Sequence, residues 1–224
     1  MDILQIFSIN TTLFTVMGYP MSYIEFFGTL FTIACVWYTA RAKVISWPLG
    51  IIGTILFIFL FYQIRLYADV FEQGYFLATG FLGWWVWLHP KTKNKASQDQ
   101  QLKISKNSLR QNGIILLIII IGTALLTYVV SNLNIWMPQY FPEPAASPLL
   151  DAFTTVMSFV AQWLLVRKKI ESWVLWIVID VIAIWLYWSK GVKFVSIEYI
   201  LFFFIAIYGL YSWLKEYLTL KNNE

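Results

Sequence analysis

The chain has 224 residues, 59% of them hydrophobic and 12% charged, with a formal charge of +4. A soluble domain carries about twice that charged fraction, so a water-soluble globule is excluded. One cysteine, Cys35, and one histidine, His89, rule out an internal disulfide and leave too few soft ligands for a transition-metal centre.

Residues 1–21 are too short and too interrupted by polar residues to cross a bilayer, and read as an extracellular, interfacial or poorly ordered lead-in. They carry no Lys or Arg ahead of an apolar run and no small-residue cleavage signal, so no removed signal peptide is expected. Apolar runs of about the 20 residues a span requires then follow at 22–40, 47–64, 70–88, 113–131, 148–166, 173–189 and 195–214. Residues 89–112 form a polar, basic linker, and 215–224 a tail. The fold class expected is an all-α membrane protein with seven transmembrane helices. The connections alternate in charge: Arg41, Lys43, the run from Lys91 to Arg110, Arg167, Lys168, Lys169, Lys215 and Lys221 share one side. The other side has only Arg65, Lys190 and Lys193. Positive loops stay in the cytoplasm, which predicts the N-terminus outside, the C-terminus inside, and a cytoplasmic linker.

Sliding the chain against itself at a constant offset of 126 superposes 22–88 on 148–214 without a gap. Glu25 meets Asp151, Trp37 meets Trp163, Arg41 meets Arg167, Ser46-Trp47 meets Ser172-Trp173, Glu72 meets Glu198, Gly83 meets Gly209 and Trp87 meets Trp213. Apolar coincidences are common in membrane sequences, whereas matched acids, bases, glycines and tryptophans are not. Each repeat holds three spans, an odd number, and the single span at 113–131 restores the orientation. The expected architecture is therefore 3+1+3 with parallel repeats about an axis along the membrane normal, as in SWEET proteins.

Polar side chains inside the spans should face a path between the triplets, because a charge in the bilayer is costly unless it meets water or a partner. On the sixth span, Trp173, Trp176, Asp180, Ala183 and Tyr187 share one face. Indole faces attract cations and a carboxylate supplies counter-charge, so the stripe suits a flat organic cation. No Lys or Arg lies at that depth to neutralise Asp180, which favours a ligand role over an internal ion pair. Trp185 and Trp188 fall elsewhere and are expected to pack or to lie at the interface. Gln73, Thr79 and Gln162 are further substrate-binding candidates, each competing with service as hydrogen-bonding glue between helices. Glu25 and Asp151 start equivalent spans, where the helix dipole favours acids.

The stretches "WPLGIIGTILFIFLFYQIRLYAD" with "GWWVW", and "LDAFTTVMSFVAQWLLVRKKIESWVLWIVIDVIAIWLYWSKGV", resemble the two halves of PnuC-type vitamin transporters. That resemblance implies a small uptake facilitator of the cytoplasmic (inner) membrane, working without ATP or a cofactor. Its substrate would be nicotinamide riboside, thiamine or, more rarely, riboflavin, trapped after uptake by a cytoplasmic kinase. The family's Trp-x-x-Trp-x-x-x-Asn/Asp pattern falls on Trp173, Trp176 and Asp180, its Leu-Tyr on Leu186-Tyr187 and its Gln on Gln73. The chain departs from nicotinamide riboside carriers at Gly53 and Gly80, where Asn is found, and at Leu82, where Tyr is common. Those losses favour thiamine by a small margin, with nicotinamide riboside the alternative. Partners are then the vitamin and membrane lipids, with no nucleic acid; homo-oligomerisation stays open. A membrane subunit driven by a separate ATPase is a more remote alternative, as the chain has no phosphate-binding Gly-x-x-x-x-Gly-Lys loop. An intramembrane enzyme lacks a nucleophile–base pair or metal set.

Overall fold

A computed structural model describes residues 7–222 apart from 17, 66, 90–101, 146, 190 and 192. Half of the basic linker, together with Lys190 and the start of the lead-in, thus lies outside the described residues. The lead-in is more regular than its composition suggests. Strands β1 (Thr12–Val16) and β2 (Tyr19–Ser22) pair antiparallel, around a turn in which Gly18 takes φ +83°, a conformation glycine adopts without a Cβ penalty. Tyr19 then donates its hydroxyl proton to Glu25 at 2.7 Å. Gln63 donates to the Phe7 carbonyl at 2.7 Å and accepts from the Ile9 amide at 3.2 Å, which ties the lead-in to the bundle.

Seven α-helices follow among the described residues: α1 (Tyr23–Ala40), α2 (Ser46–Gln63), α3 (Tyr67–Leu88), α4 (Leu109–Trp136), α5 (Pro148–Val166), α6 (Glu171–Ser189) and α7 (Lys193–Asn222). Six are long and apolar enough to cross a membrane. The other, α3, has 22 residues, about 33 Å at the α-helical rise, and carries Asp69, Glu72 and Gln73 in its first turns. Two helices outrun their apolar cores. Ser108 and Gln111 form a reciprocal capping box that starts α4 at Leu109 instead of the expected 113. Residues 215–222, expected as a tail, continue α7, because nothing in "KEYLTLKN" breaks a helix once it has left the hydrocarbon.

Six helices close a ring, in which α1 packs on α2, α2 on α3, α3 on α5, α5 on α6, α6 on α7, and α7 back on α1. Helix α4 stands outside it and packs chiefly on α5. At one end lie Glu25, Glu72, Asp151 and Glu198, in the first two turns of α1, α3, α5 and α7; we call this the acidic end. At the opposite, basic end the α1–α2 and α5–α6 turns match closely. Arg41 lies 4.4 Å above Trp37 and Arg167 lies 4.6 Å above Trp163. Ala42 and Lys168 both turn left-handed, at φ 53° and 50°. Ser46 donates to the Lys43 carbonyl at 2.8 Å, and Ser172 to that of Lys169 at 2.7 Å. Trp47 meets Trp87 edge-on at 5.2 Å, as Trp173 meets Trp213 at 5.5 Å. The halves are sewn together here, since Trp87 Nε1 donates to the Val166 carbonyl and Trp213 Nε1 to that of Thr39, each at 3.1 Å.

Lys168 is 2% exposed, with Nζ 4.4 Å above the Trp87 ring. Burial pulls its ammonium down to about 8, against a smaller opposing pull from Glu216. The folded protein therefore sheds this proton before the unfolded chain does. Between pH 8 and the ordinary lysine value near 10.5 the unfolded state binds more protons, so stability rises with pH in that window. We expect the melting temperature in detergent to climb from pH 7.5 to 10, and Lys168→Met to flatten the climb. Parallel profiles for the two proteins would show that Lys168 is not the group responsible.

Candidate functional site

The ring encloses a cavity of about 420 Å³, lined by α1, α2, α3, α5, α6 and α7 and by no residue of α4. Helix α6 supplies the centre of the wall. Its carboxylate, Asp180, is 4% exposed and faces the cavity. Among the described residues it has neither a hydrogen-bond donor nor a basic partner. Asp180, Glu25 and Glu198 place three carboxylates on the wall, and among the described residues no Lys, Arg or His joins them. A cavity so lined favours a cation and disfavours an anion, because low polarizability around the charges leaves their fields weakly screened.

Six of the seven expected side chains meet there: Gln73, Gln162, Trp173, Trp176, Asp180 and Tyr187. Thr79 does not. It is buried, and its hydroxyl donates back to the Tyr75 and Phe76 carbonyls at 2.8 and 3.2 Å. A threonine hydroxyl within reach of the carbonyl four residues back satisfies itself locally, so composition alone could not assign it to the path. The two stripe tryptophans also differ. Trp173 is 1% exposed; a Cβ on Gly209 would lie 2.7 Å from its Cε2, and Trp213 meets it at 90°. Its ring is thus enclosed by α7 and closes the basic end of the cavity. Trp176 is only partly buried, with Phe76 at 6.5 Å, and is the indole better placed to lie against a planar ligand. Trp185 and Trp188, expected to pack or to lie at the interface, are 62% and 57% exposed and face away from the cavity.

Residues from the first triplet complete the wall, and these the stripe argument missed. Thr29 and Thr32 of α1 line it beside Glu25. So do Phe57 and Phe61 of α2, stacked at 5.8 Å; from the second triplet Tyr199 of α7, also missed, stacks on the expected Tyr187 at 5.5 Å with 11° between planes. The 126-residue offset carried the signal for some of them, since it maps Phe61 onto Tyr187 and Gln73 onto Tyr199. Glu25 was explained by the helix dipole alone, yet it also faces the cavity.

The three departures weighed for substrate choice occupy different places. A side chain at Gly53 would meet Thr32 Oγ1 at 2.9 Å and the Gly28 carbonyl at 3.3 Å, so this glycine serves the close approach of α2 to α1 and lies off the cavity wall. Leu82 is 39% exposed on the outer surface. Only Gly80 lines the cavity, where an added Cβ would lie 3.2 Å from Ile51 Cγ1. Two of the three therefore say nothing about the ligand. Among the described residues no group of three His, Cys, Asp or Glu side chains is placed to hold a metal ion.

Comparison with known proteins sets this geometry in context. The family described as "Nicotinamide mononucleotide transporter" matches residues 22–215. The nicotinamide riboside transporter PnuC of Escherichia coli (strain K12) is 31% identical over 216 residues, covering 89% of this chain and 88% of that protein. The PnuC of Neisseria mucosa is 23% identical over 203 residues, covering 88% and 73%. The riboflavin/roseoflavin transporter RibM of Streptomyces davaonensis is 20% identical over 173 residues, covering 77% and 76%. A solved structure described as that of the vitamin B3 transporter PnuC shares the fold, with a TM-score of 0.65 at 22% identity, covering 86% of this chain and 81% of that one.

Proposed function

Since the chain belongs to the nicotinamide mononucleotide transporter family, whose relatives here are transporters and not enzymes, we propose that it mediates facilitated uptake of a cationic vitamin. Nicotinamide riboside takes precedence over thiamine. The observation that carries the reading is Asp180, a buried carboxylate without a hydrogen-bond or basic partner among the described residues, facing a cavity whose described wall holds acids and aromatics but no base. The preference for nicotinamide riboside draws on the relatives that bear its name and on the positions of Gly53 and Leu82, which remove most of the case for thiamine.

The halves act as two parallel triplets in a 3+1+3 arrangement, a reading supported by the matched turns, Arg–Trp pairs and edge-on tryptophans at equivalent positions. The basic end faces the cytoplasm of a bacterial inner membrane, by the distribution of Lys and Arg. Substrate enters at the acidic end, meets Trp176, Asp180, Gln73 and Gln162 near the middle, and leaves at the basic end. Transport is passive, and accumulation depends on a cytoplasmic kinase that phosphorylates the vitamin.

Tryptophan-fluorescence titration of the purified protein tests the substrate. Nicotinamide riboside should bind at least tenfold more tightly than thiamine or riboflavin, and should equilibrate into proteoliposomes with neither ATP nor an ion gradient. Tighter thiamine binding would restore that vitamin to first place. Uptake that required an added ATPase would overturn the passive mechanism.

A further inference from the structure

Residues 102–108, just ahead of α4, do not hang free of the bundle. Ser105 bridges in parallel to Lys169: its amide donates to the Lys168 carbonyl at 3.1 Å, and its carbonyl accepts from the Ile170 amide at 3.1 Å. The Asn107 amide donates to Glu171 Oε1 at 2.9 Å, and Lys169 Nζ donates to the Lys106 carbonyl at 3.3 Å. The segment therefore lies along the α5–α6 turn, at the basic end.

Between these attachments Ile104 points inward. It is 3% exposed and belongs to one buried cluster with Trp47, Leu165, Trp173 and Ala206, all four of which line the cavity. Ile104 thus backs the cavity floor from the far side. The same cluster contains Trp87 and Trp213, whose indole N–H groups join the two halves. A side chain in this place stiffens the floor without touching anything inside the cavity.

The closure leaves polar atoms unsatisfied. Asn107 Nδ2 and Glu171 Oε2 are buried beside this segment, and the Nε1 atoms of Trp47 and Trp173 are buried in the floor, all four without a hydrogen-bond partner among the described residues. Orphaned buried groups each cost free energy that water or a new partner would return.

We propose that residues 102–108 are a latch holding the basic end of the cavity shut, and that Ile104 is a positioning residue setting how readily that end opens. The idea rests on the transport reading above, and it predicts control of release without any change in which molecule is recognised.

Cys35, the only cysteine in the chain, lines the cavity and reports its accessibility without any substrate. The probe is a charged methanethiosulfonate reagent applied separately to each face of vesicles holding the full chain, with the denatured protein as the full-labelling control. Ile104→Ala should raise the Cys35 labelling rate at least fivefold from the basic-end face and leave the other face unchanged, while Ile104→Val stays near the parent. An unchanged rate, or an equal rise from both faces, overturns the latch. A second arm uses Ser105→Cys with Lys169→Cys in a Cys35→Ser background: oxidation should halt nicotinamide riboside uptake and reductant restore it. Undiminished uptake by the crosslinked protein also overturns the latch. If the parent carries no vitamin while labelling still responds to Ile104→Ala, the transport reading fails and the latch stands.

Discussion

Asp180→Ala should weaken nicotinamide riboside binding by about 30-fold, the equivalent of ~2 kcal/mol, in the range for loss of a partly desolvated charge-assisted contact. The carboxylate is buried and faces a wall without basic residues among those described, so its removal takes away one of the three acids, leaving Glu25 and Glu198. Asp180→Asn keeps the shape and a hydrogen-bonding oxygen, and should fall between parent and Ala. The control that isolates charge is the reduced, uncharged dihydronicotinamide riboside. It should bind the parent more weakly than the oxidised form, and Asp180→Ala should scarcely change its affinity. Equal losses for charged and uncharged ligands in isothermal titration would mean that Asp180 shapes the cavity and does not read charge.

The largest effect on stability is expected at two equivalent glycines. Gly83 and Gly209 are the points where α3 and α7 meet the rings of Trp47 and Trp173. A methyl group at Gly209 would lie 2.7 Å from Trp173 Cε2, and one at Gly83 would overlap the far edge of the Trp47 ring. Both rings are buried, at 5% and 1% exposed, and each is held edge-on by another tryptophan, so neither can swing aside. Overpacking of this kind costs about 1–3 kcal/mol or more, against a gain of up to ~1 kcal/mol from replacing glycine within a helix. Gly83→Ala and Gly209→Ala should each lower the melting temperature in detergent by about 5 °C. Gly74→Ala, where nothing lies within 4 Å, should raise it or leave it unchanged. A drop at Gly74 matching that at Gly83 would remove the ring contact as the cause.

The spans were legible because the bilayer imposes one length and one polarity on them: α5 runs over 148–166 as expected, α1 starts one residue later than expected, and α2 is shifted by one residue at each end. Helix ends in water were not legible in that way. The start of α4 depends on the Ser108–Gln111 capping box, and the end of α7 on the mere lack of a breaker. The hairpin escaped notice because Tyr19-Pro20-Met21-Ser22 has no apolar alternation of its own. At the site, the 3.6-residue period placed Trp176, Asp180 and Tyr187 on the wall correctly. It could not distinguish an indole that is open from one that is enclosed, as Trp173 is, because that depends on a glycine 36 positions away. Nor could it see across the ring to Thr29, Thr32 and Phe57, whose roles follow from the closing contact between α1 and α7.

Helix α4 stands apart from the cavity and leans chiefly on one neighbour. Its sequence is therefore free to drift under little constraint beyond greasiness, length and a small face toward α5. A foreign hydrophobic segment grafted in its place should leave recognition of the vitamin intact. The two triplets could equally be produced as separate polypeptides and left to find each other in the lipid, an assembly that this outrigger makes convenient and does not require.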